Sequence, residues 1–155
     1  MLLRELFRPE RIVANLKARN KKDLFRELSG ILADKCGVSD VDSIVNVIES
    51  RESKISTGIQ TGIAIPHGKT NAVKGVAGII GISRKGIDYN ALDGKPVFLV
   101  FFIVSSDNSA EEHLAVLKRL ATLLENRQFY QDILKMQTAE NIYKTLKDYE
   151  ELMLK

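Results

Sequence analysis

The chain has 155 residues, 45% of them hydrophobic and 28% charged, which is typical of one globular domain with one core. Its net charge of only +3 and its lack of tryptophan argue against a nucleic-acid-binding surface, and its single cysteine excludes a disulfide framework and favours a reducing compartment. The chain shows no signal-peptide pattern and no apolar run of the roughly 20 residues that span a bilayer, so we expect a cytoplasmic protein without membrane insertion.

The first third of the chain predicts a short strand and two helices. Residues 12–16 form a candidate edge strand, and Asn20, with an acidic residue three positions later, is typical of the start of a helix. Gly37 is expected to end this helix, and Ser39 to begin a second one that ends near Glu49. The apolar positions that fall on one face of each helix are Leu24, Leu28, Ile31 and Leu32, then Val41, Ile44, Val45 and Ile48.

A short apolar run then leads into the sequence Pro-His-Gly. Residues 63–65 predict a buried strand, and Pro66 is expected to end it because proline has no N–H for a further ladder bond. His67 would lie at the exit of this strand, and Gly68 is expected to leave the backbone uncovered, so that another molecule can approach the imidazole ring. From these residues alone, a reactive histidine and an ordinary surface-loop histidine both remain open.

Three strands are predicted after this segment. Residues 76–83 are rich in small and β-branched side chains, and residues 86–89 indicate a further short strand. A turn is expected at Asp93 and Gly94. Residues 96–104 are apolar without alternation, which favours a central strand with both faces covered by helices.

Three helices are predicted in the last third of the chain. Residues 109–112 have the pattern of a capping box and begin a helix that ends near Asn126, residues 129–136 give a short helix, and Thr138 caps the last one. The positions expected to face the core are Leu114, Leu117, Leu120, Ala121 and Leu124 in the first helix and Ile142, Leu146 and Tyr149 in the last. This order of elements predicts a single α/β layered domain over residues 1–155, with helices on both faces of the sheet.

The segment around His67 resembles a known phosphorylation site. Residues 56–59 (Ser-Thr-Gly-Ile) and 62–69 (Gly-Ile-Ala-Ile-Pro-His-Gly-Lys) are similar to the signature of the fructose/mannitol-type IIA components of the bacterial phosphotransferase system, which nitrogen-type regulatory IIA proteins share. The resemblance covers about residues 6–152 and implies a mixed sheet, with His67 receiving a phosphoryl group from the small carrier HPr. Gln60 stands where the family usually has a small residue, which leaves the path of this loop open.

Phosphoryl transfer suits the chemistry of this chain better than the alternatives. His67 and His113 are too few for a zinc site, which needs three or four ligands, and no Gly-x-Ser-x-Gly elbow supports a hydrolase. A neutral imidazole, with an ordinary pKa of about 6.5, keeps a free nitrogen lone pair at neutral pH. Neither a metal nor a cofactor is expected.

The resemblance also implies roles for residues outside the Pro-His-Gly segment. His113, near the start of its helix, is expected to stabilise the phosphate, unless it only contacts solvent. Arg51 is implied to stand near the active histidine, where its fork of donors suits phosphate oxygens, although it could instead end the second helix by complementing the helix dipole. Ser56, Thr57 and Gly68 are expected to support the loop or the phosphate.

Three functional interpretations follow from this resemblance. In the first, the protein passes the phosphoryl group to a separate IIB component for sugar uptake, because no IIB or IIC portion is expected in the chain. In the second, it is a nitrogen-type regulator whose phosphorylation state controls partner proteins. In the third, it is an interaction domain that has lost phosphotransfer, although the presence of His67, His113 and Arg51 together argues against this.

Overall fold

A nine-residue strand stands at the centre of one mixed sheet. The computed structural model describes residues 1–58 and 60–155. The strands are β1 (Ile12–Val13), β2 (Ile63–Ala64), β3 (His67–Lys69), β4 (Val76–Ile87) and β5 (Val97–Ser105). β5 pairs antiparallel with β4 on one side and parallel with β2 and β3 on the other, while β1 pairs parallel with the outer side of β4.

The helices of the described residues cover both faces of this sheet. They are α1 (Leu3–Leu6), α2 (Lys21–Cys36), α3 (Val41–Glu52), α4 (Ala110–Leu124), α5 (Arg127–Lys135) and α6 (Ala139–Met153). Helices α2 and α3 pack on one face, and α1, α4, α5 and α6 pack on the other. The predicted α/β layered fold is therefore confirmed. Within the described chain, every helix is too short or too polar to cross a membrane.

Two apolar cores explain why β5 shows no alternation in the sequence. Phe101 and Phe102 are both fully buried, but Phe101 belongs to the core beneath α4 and Phe102 to the core beneath α2 and α3. Successive strand residues point to opposite faces, so a strand covered on both faces is apolar at every position. The predicted central strand is confirmed, with its bounds shifted by one residue.

The strands predicted at residues 76–83 and 86–89 are one continuous strand, β4. Its pairing with β5 shifts register after Ile82, and Gly86 takes a left-handed φ of 91° in the irregular part. Such an irregularity bends a strand without ending it, which is why the prediction of two strands is wrong. The expected turn is present, since the Gly94 N–H donates to the carbonyl three residues earlier at 3.0 Å.

The beginning of the chain has the predicted elements, but its strand is shorter than predicted. β1 covers only part of residues 12–16, although the Leu16 N–H still donates to the Ile82 carbonyl at 2.8 Å. Asn20 caps α2 through its side chain, and Gly37 ends this helix with a φ of 69°. Both ends of α2 are therefore where the sequence predicted them.

Helix α3 is capped by Asp40 rather than Ser39 and continues to Glu52 rather than ending near Glu49. The Asp40 side chain accepts a hydrogen bond from the N–H three residues later, at 3.3 Å. No glycine or proline interrupts the following residues, so the helix includes Arg51 in its last turn.

Helix α4 follows the predicted apolar face in part, since Leu120 and Leu124 are buried and Leu117 packs against the core. Ser109 stands at its N-terminal cap but makes no side-chain capping bond, so the predicted capping box is wrong. Leu114 and Ala121, which were expected to face the core, are exposed, whereas Val116 and Leu123 are buried. Packing against β5 and the neighbouring helices selects this stripe, which the sequence spacing alone could not distinguish from the adjacent one. Elsewhere on this face, Asn126 starts α5 earlier than predicted, and Thr138 caps α6 as expected.

Candidate functional site

The candidate site lies on an edge of the sheet where the edge strand is interrupted. β2 and β3 follow the same side of β5 in one register, with residues 65 and 66 between them outside the two strands. Pro66 has no N–H to donate, and the Ile65 N–H turns away to the Thr57 carbonyl at 3.1 Å. His67 therefore begins a second short strand, which corrects the expectation that it lies where the chain leaves the sheet.

The interruption also fixes the ring of His67. Its Nδ1 lies 2.7 Å from the Ile65 carbonyl oxygen. A carbonyl oxygen only accepts hydrogen bonds, so Nδ1 carries the proton and Nε2 keeps the lone pair. Burial lowers the pKa of His67, and although the Ile65 bond opposes this, the positive charges of Arg51 and Lys69 add to the lowering. The ring is therefore neutral at pH 7, with its free lone pair on Nε2.

His113 lies beside His67, near the start of α4. The centroids of the two rings are 5.6 Å apart, and His113 is only 5% exposed, so it is not a residue that merely contacts solvent. Its Nδ1 lies 2.5 Å from the hydroxyl oxygen of Ser105. Burial, followed by the nearby His67 and Lys69, lowers the pKa of His113 to about 4. This ring is therefore also neutral at pH 7.

Arg51 lies in the last turn of α3 and lines the same cavity as the two histidines. Its Nη1 donates to the Ile55 carbonyl at 2.8 Å, which ties the end of the helix to the loop that follows. A guanidinium carries five N–H donors, so this bond uses only one of them. Arg51 therefore both lines the cavity beside His67 and ties the end of α3 to the loop that follows.

A buried carboxylate that the sequence analysis missed lies behind the site. Glu52 ends α3 and is only 8% exposed. Its oxygens accept hydrogen bonds from Thr57 N at 2.9 Å, Thr57 Oγ1 at 2.6 Å, the Tyr89 hydroxyl at 3.0 Å and the Lys21 ammonium at 3.1 Å. Burial alone would raise the pKa of Glu52, but the Thr57 and Lys21 bonds outweigh burial and hold it below its ordinary value. The one sequence signal was an acidic residue at a helix C-terminus, where it opposes the dipole.

This carboxylate explains how the loop before β2 is held. The N–H and hydroxyl of Thr57 both donate to Glu52, so Thr57 supports the loop from behind. The Ser56 hydroxyl accepts from the N–H two residues later at 3.1 Å. Gln60 lies in a tight turn, where its carbonyl accepts from the N–H three residues later at 3.0 Å. Ile59, the remaining member of the first motif segment, lies outside the described residues.

Gly68 has a packing role that the sequence analysis did not predict. It is buried, and a Cβ atom at this position would lie 3.0 Å from Val47 Cγ2 and 3.1 Å from the Val47 carbonyl oxygen. These distances are tighter than ordinary van der Waals contact, so the glycine allows β3 to pack directly on α3. The backbone of Gly68 is thus covered on the side of α3, although Gly68 also lines the cavity beside His67.

Both histidines line an open cavity of about 730 Å³ between α3, β3 and α4. Its apolar wall consists of Val47, Ala110, Leu114 and Leu117, and its charged side chains are Arg51, Lys54, Lys69 and Glu111. Three cations against one carboxylate favour an anionic ligand. Among residues 1–58 and 60–155, no group of three histidine, cysteine or acidic side chains is arranged to hold a metal ion.

Comparison with known sequences identifies one matching family and relatives of two kinds. The sequence model of the family described as "Phosphoenolpyruvate-dependent sugar phosphotransferase system, EIIA 2" matches residues 5–149. The fructose-specific EIIABC component of Bacillus subtilis is 35% identical over 97% of this chain, but the chain spans only 24% of that protein. A nitrogen regulatory protein of Bradyrhizobium diazoefficiens is 31% identical over 94% of this chain and 95% of its own length.

Solved structures show the same fold. The nitrogen regulatory protein IIA-Ntr of Neisseria meningitidis superposes with a TM-score of 0.85 and 30% identity, over 93% of this chain and 98% of that one. The mannitol IIA enzyme of Escherichia coli, in a complex with phosphorylated IIB, superposes with a TM-score of 0.76 over 92% of this chain and 99% of that one. Its identity of 21% makes it evidence for the fold alone.

Proposed function

The chain belongs to the EIIA 2 family of the phosphoenolpyruvate-dependent sugar phosphotransferase system, and on this premise we propose that it is a cytoplasmic phosphocarrier. It accepts a phosphoryl group on His67 from an HPr-like carrier and passes it to a IIB component for the uptake of a fructose- or mannitol-type sugar. The observation that carries this proposal is the bond from His67 Nδ1 to the Ile65 carbonyl, which leaves Nε2 as the nucleophile beside a cation-lined cavity.

The transfer to His67 forms one bond and breaks one. Nε2 attacks the phosphorus of phospho-HPr, and the bond between phosphorus and the donor atom breaks with its electron pair leaving on the donor. The proton on Nδ1 stays on the ring, where the Ile65 carbonyl stabilises the positive charge that the imidazole gains. In the onward transfer, the active cysteine of the IIB component attacks the same phosphorus, and the bond between phosphorus and Nε2 breaks with its electron pair returning to the ring.

His113 and Arg51 are proposed to stabilise the charge on the transferring oxygens. Both line the cavity beside His67, and both side chains carry N–H donors. Lys54 and Lys69 add positive charge at the rim. Removing one preorganised donor of this kind typically lowers a rate by about 10²–10³-fold.

The surface around the cavity supports a protein as the source and the acceptor of the phosphate. Leu114 is 52% exposed beside the cavity, and Ile55 at the end of the neighbouring loop is 54% exposed. Apolar side chains next to a charged cavity suit a partner that buries them while presenting an anionic group. The complex of the E. coli mannitol IIA enzyme with phosphorylated IIB shows that a protein of this fold can dock such a partner.

Incubation with phosphoenolpyruvate, enzyme I and HPr tests the proposal. The expected product carries one phosphoryl group on His67, stable in base and labile in acid, and mass mapping locates it. His67→Gln should abolish labelling, whereas His113→Gln, the matched histidine variant, should slow it without abolishing it. Phosphate on His113 would reject the assignment to His67, whereas no phosphate at all would reject the phosphocarrier role and leave the interaction domain without phosphotransfer.

A regulatory function of the nitrogen type is the second candidate. It is supported by the two similar proteins of this length, from Bradyrhizobium diazoefficiens and Neisseria meningitidis, which both have nitrogen regulatory names. Mixing the labelled phosphoprotein with purified IIB domains of the same organism separates the two functions. Movement of the label to a IIB domain supports the carrier. Label that stays on His67, together with different affinities of the two phospho-states for a transporter or kinase, supports the regulator.

A further inference from the structure

Ser105 lies where the sheet meets both histidines. It is the last residue of β5 and is fully buried, with Lys69 of β3 opposite it on one side and Val76 of β4 on the other. Alternation along β5 places its side chain on the same face as Ile103, which belongs to the core beneath α4. The Ser105 hydroxyl is thereby held beneath the first turns of α4, where His113 lies.

The hydroxyl of Ser105 and Nδ1 of His113 form a short hydrogen bond of 2.5 Å. Over the part of the chain that the structure describes, this is the only hydrogen bond of that hydroxyl. A hydroxyl has one proton to donate, and a buried proton without an acceptor is costly. The arrangement that satisfies both groups has Ser105 donating and Nδ1 accepting, so the ring proton of His113 sits on Nε2.

The position of this proton decides what His113 offers to an anion. Because burial lowers the pKa of His113 to about 4, the ring carries only one proton at pH 7. With Nδ1 occupied by Ser105, Nε2 is the ring nitrogen left to face the cavity that His113 shares with His67. A proton on Nε2 makes it a donor, whereas a lone pair there would repel phosphoryl oxygens.

We infer that Ser105 is a positioning residue whose hydroxyl holds His113 in the Nε2–H tautomer, so that Nε2–H donates to a phosphoryl group on His67. The inference rests on the proposed phosphotransfer for its effect on rate, but the tautomer is a property of the unphosphorylated protein. The same orientation holds Nδ1 away from the phosphate, so Ser105 acts only through His113.

Nuclear magnetic resonance of the ¹⁵N-labelled histidine rings, together with single-turnover kinetics, tests this inference. We expect His113 to carry its proton on Nε2 in the wild-type protein and to shift toward the Nδ1–H form in Ser105→Ala. Transfer from phospho-HPr should slow by about 10-fold or more in Ser105→Ala, but the loss should vanish in a His113→Ala background because Ser105 acts only through that ring. Ser105→Thr, which keeps the hydroxyl, should restore the tautomer.

The matched control is Ser29→Ala, which removes a buried hydroxyl that has no hydrogen-bond partner in the described residues and lies in α2, away from the site. In Ser29→Ala, the tautomer of His113 and the rate of transfer from phospho-HPr should equal those of the wild type. An Nδ1–H tautomer in the wild type overturns the inference even if Ser105→Ala does not fold, and so does an unchanged tautomer or rate in Ser105→Ala. A wild-type protein that takes up no phosphate rejects the proposed function instead, and the tautomer still decides the role of Ser105.

Discussion

Glu52→Ala should destabilise the protein, because the Glu52 carboxylate holds the loop between α3 and β2 through Thr57. In Glu52→Ala, the hydroxyls of Thr57 and Tyr89 can still pair with each other, since they lie 2.7 Å apart. The Thr57 N–H, the Lys21 ammonium and the proton of whichever hydroxyl accepts in this pair lose their acceptor. A buried donor left unpaired costs about 1–3 kcal/mol, and Lys21 is partly hydrated, so we expect a total loss of about 3 kcal/mol.

Glu52→Gln removes the charge of this side chain and keeps its shape. The amide oxygen can still accept from the Thr57 N–H and from Lys21, while its NH₂ group can donate to the Thr57 hydroxyl, which then donates to Tyr89. Hydrogen bonds to a charged acceptor exceed neutral ones by roughly 1 kcal/mol, so the expected loss is about 1–2 kcal/mol. Glu49→Gln, an exposed acid on the same helix, is the control and should change stability by less than about 0.5 kcal/mol.

The assay is urea unfolding followed by circular dichroism at several pH values. The pKa of Glu52 is lower in the folded protein, so the stability that its charge contributes is present above the unfolded pKa of about 4.3 and is lost as the pH falls through the folded value. The difference between the wild type and Glu52→Gln should therefore shrink in acid. A loss below about 1 kcal/mol for Glu52→Ala, or a difference that does not depend on pH, would refute the anchoring role.

Three further predictions concern the residues around this loop. Gly62→Ala should lower the stability by at least about 1 kcal/mol, because Gly62 has a φ of 82° and a Cβ atom would collide with the Tyr130 hydroxyl; an unchanged melting temperature would contradict this. Between pH 6.5 and 4, the unfolding free energy should fall less in His113→Gln than in the wild type, by up to about 3 kcal/mol. The reason is that an unfolded histidine takes up a proton in this range, whereas the pKa of folded His113 is about 4. Equal slopes in the two proteins would count against this prediction. Arg51→Ala should slow single-turnover transfer to His67 by about 10²-fold, and a wild-type rate would show that Arg51 does not touch the phosphate.

The sequence predicted best where local chemistry decides the structure. The cap at Asn20 and the glycine that ends α2 are local signals, and both are confirmed. The unbroken apolar run of β5 predicted its central place because only a strand covered on both faces has no polar side. The Pro-His-Gly segment indicated the family through its fixed order of residues, which the family comparison confirms.

The features that the sequence did not predict depend on distant partners. The exposed position of Leu114 follows from how α4 packs on β5, and adjacent stripes of that helix are almost equally apolar. Ser105 ends a hydrophobic strand and meets its partner only when α4 folds over it. Glu52 joins α2, α3 and the loop after α3, so its acceptor role exists only in the assembled fold.

The shared ladder of β3 and β5 has a mechanical consequence. His67 belongs to β3, and Ser105 of β5 lies opposite Lys69, two residues further along the same short strand. We therefore expect a protein that pushes on this edge of the sheet to displace His67 and Ser105 together, because one hydrogen-bonded ladder joins their strands. Through the Ser105 hydroxyl, His113 follows the same displacement. The two histidines can thus keep their alignment while the cavity that they line stays open.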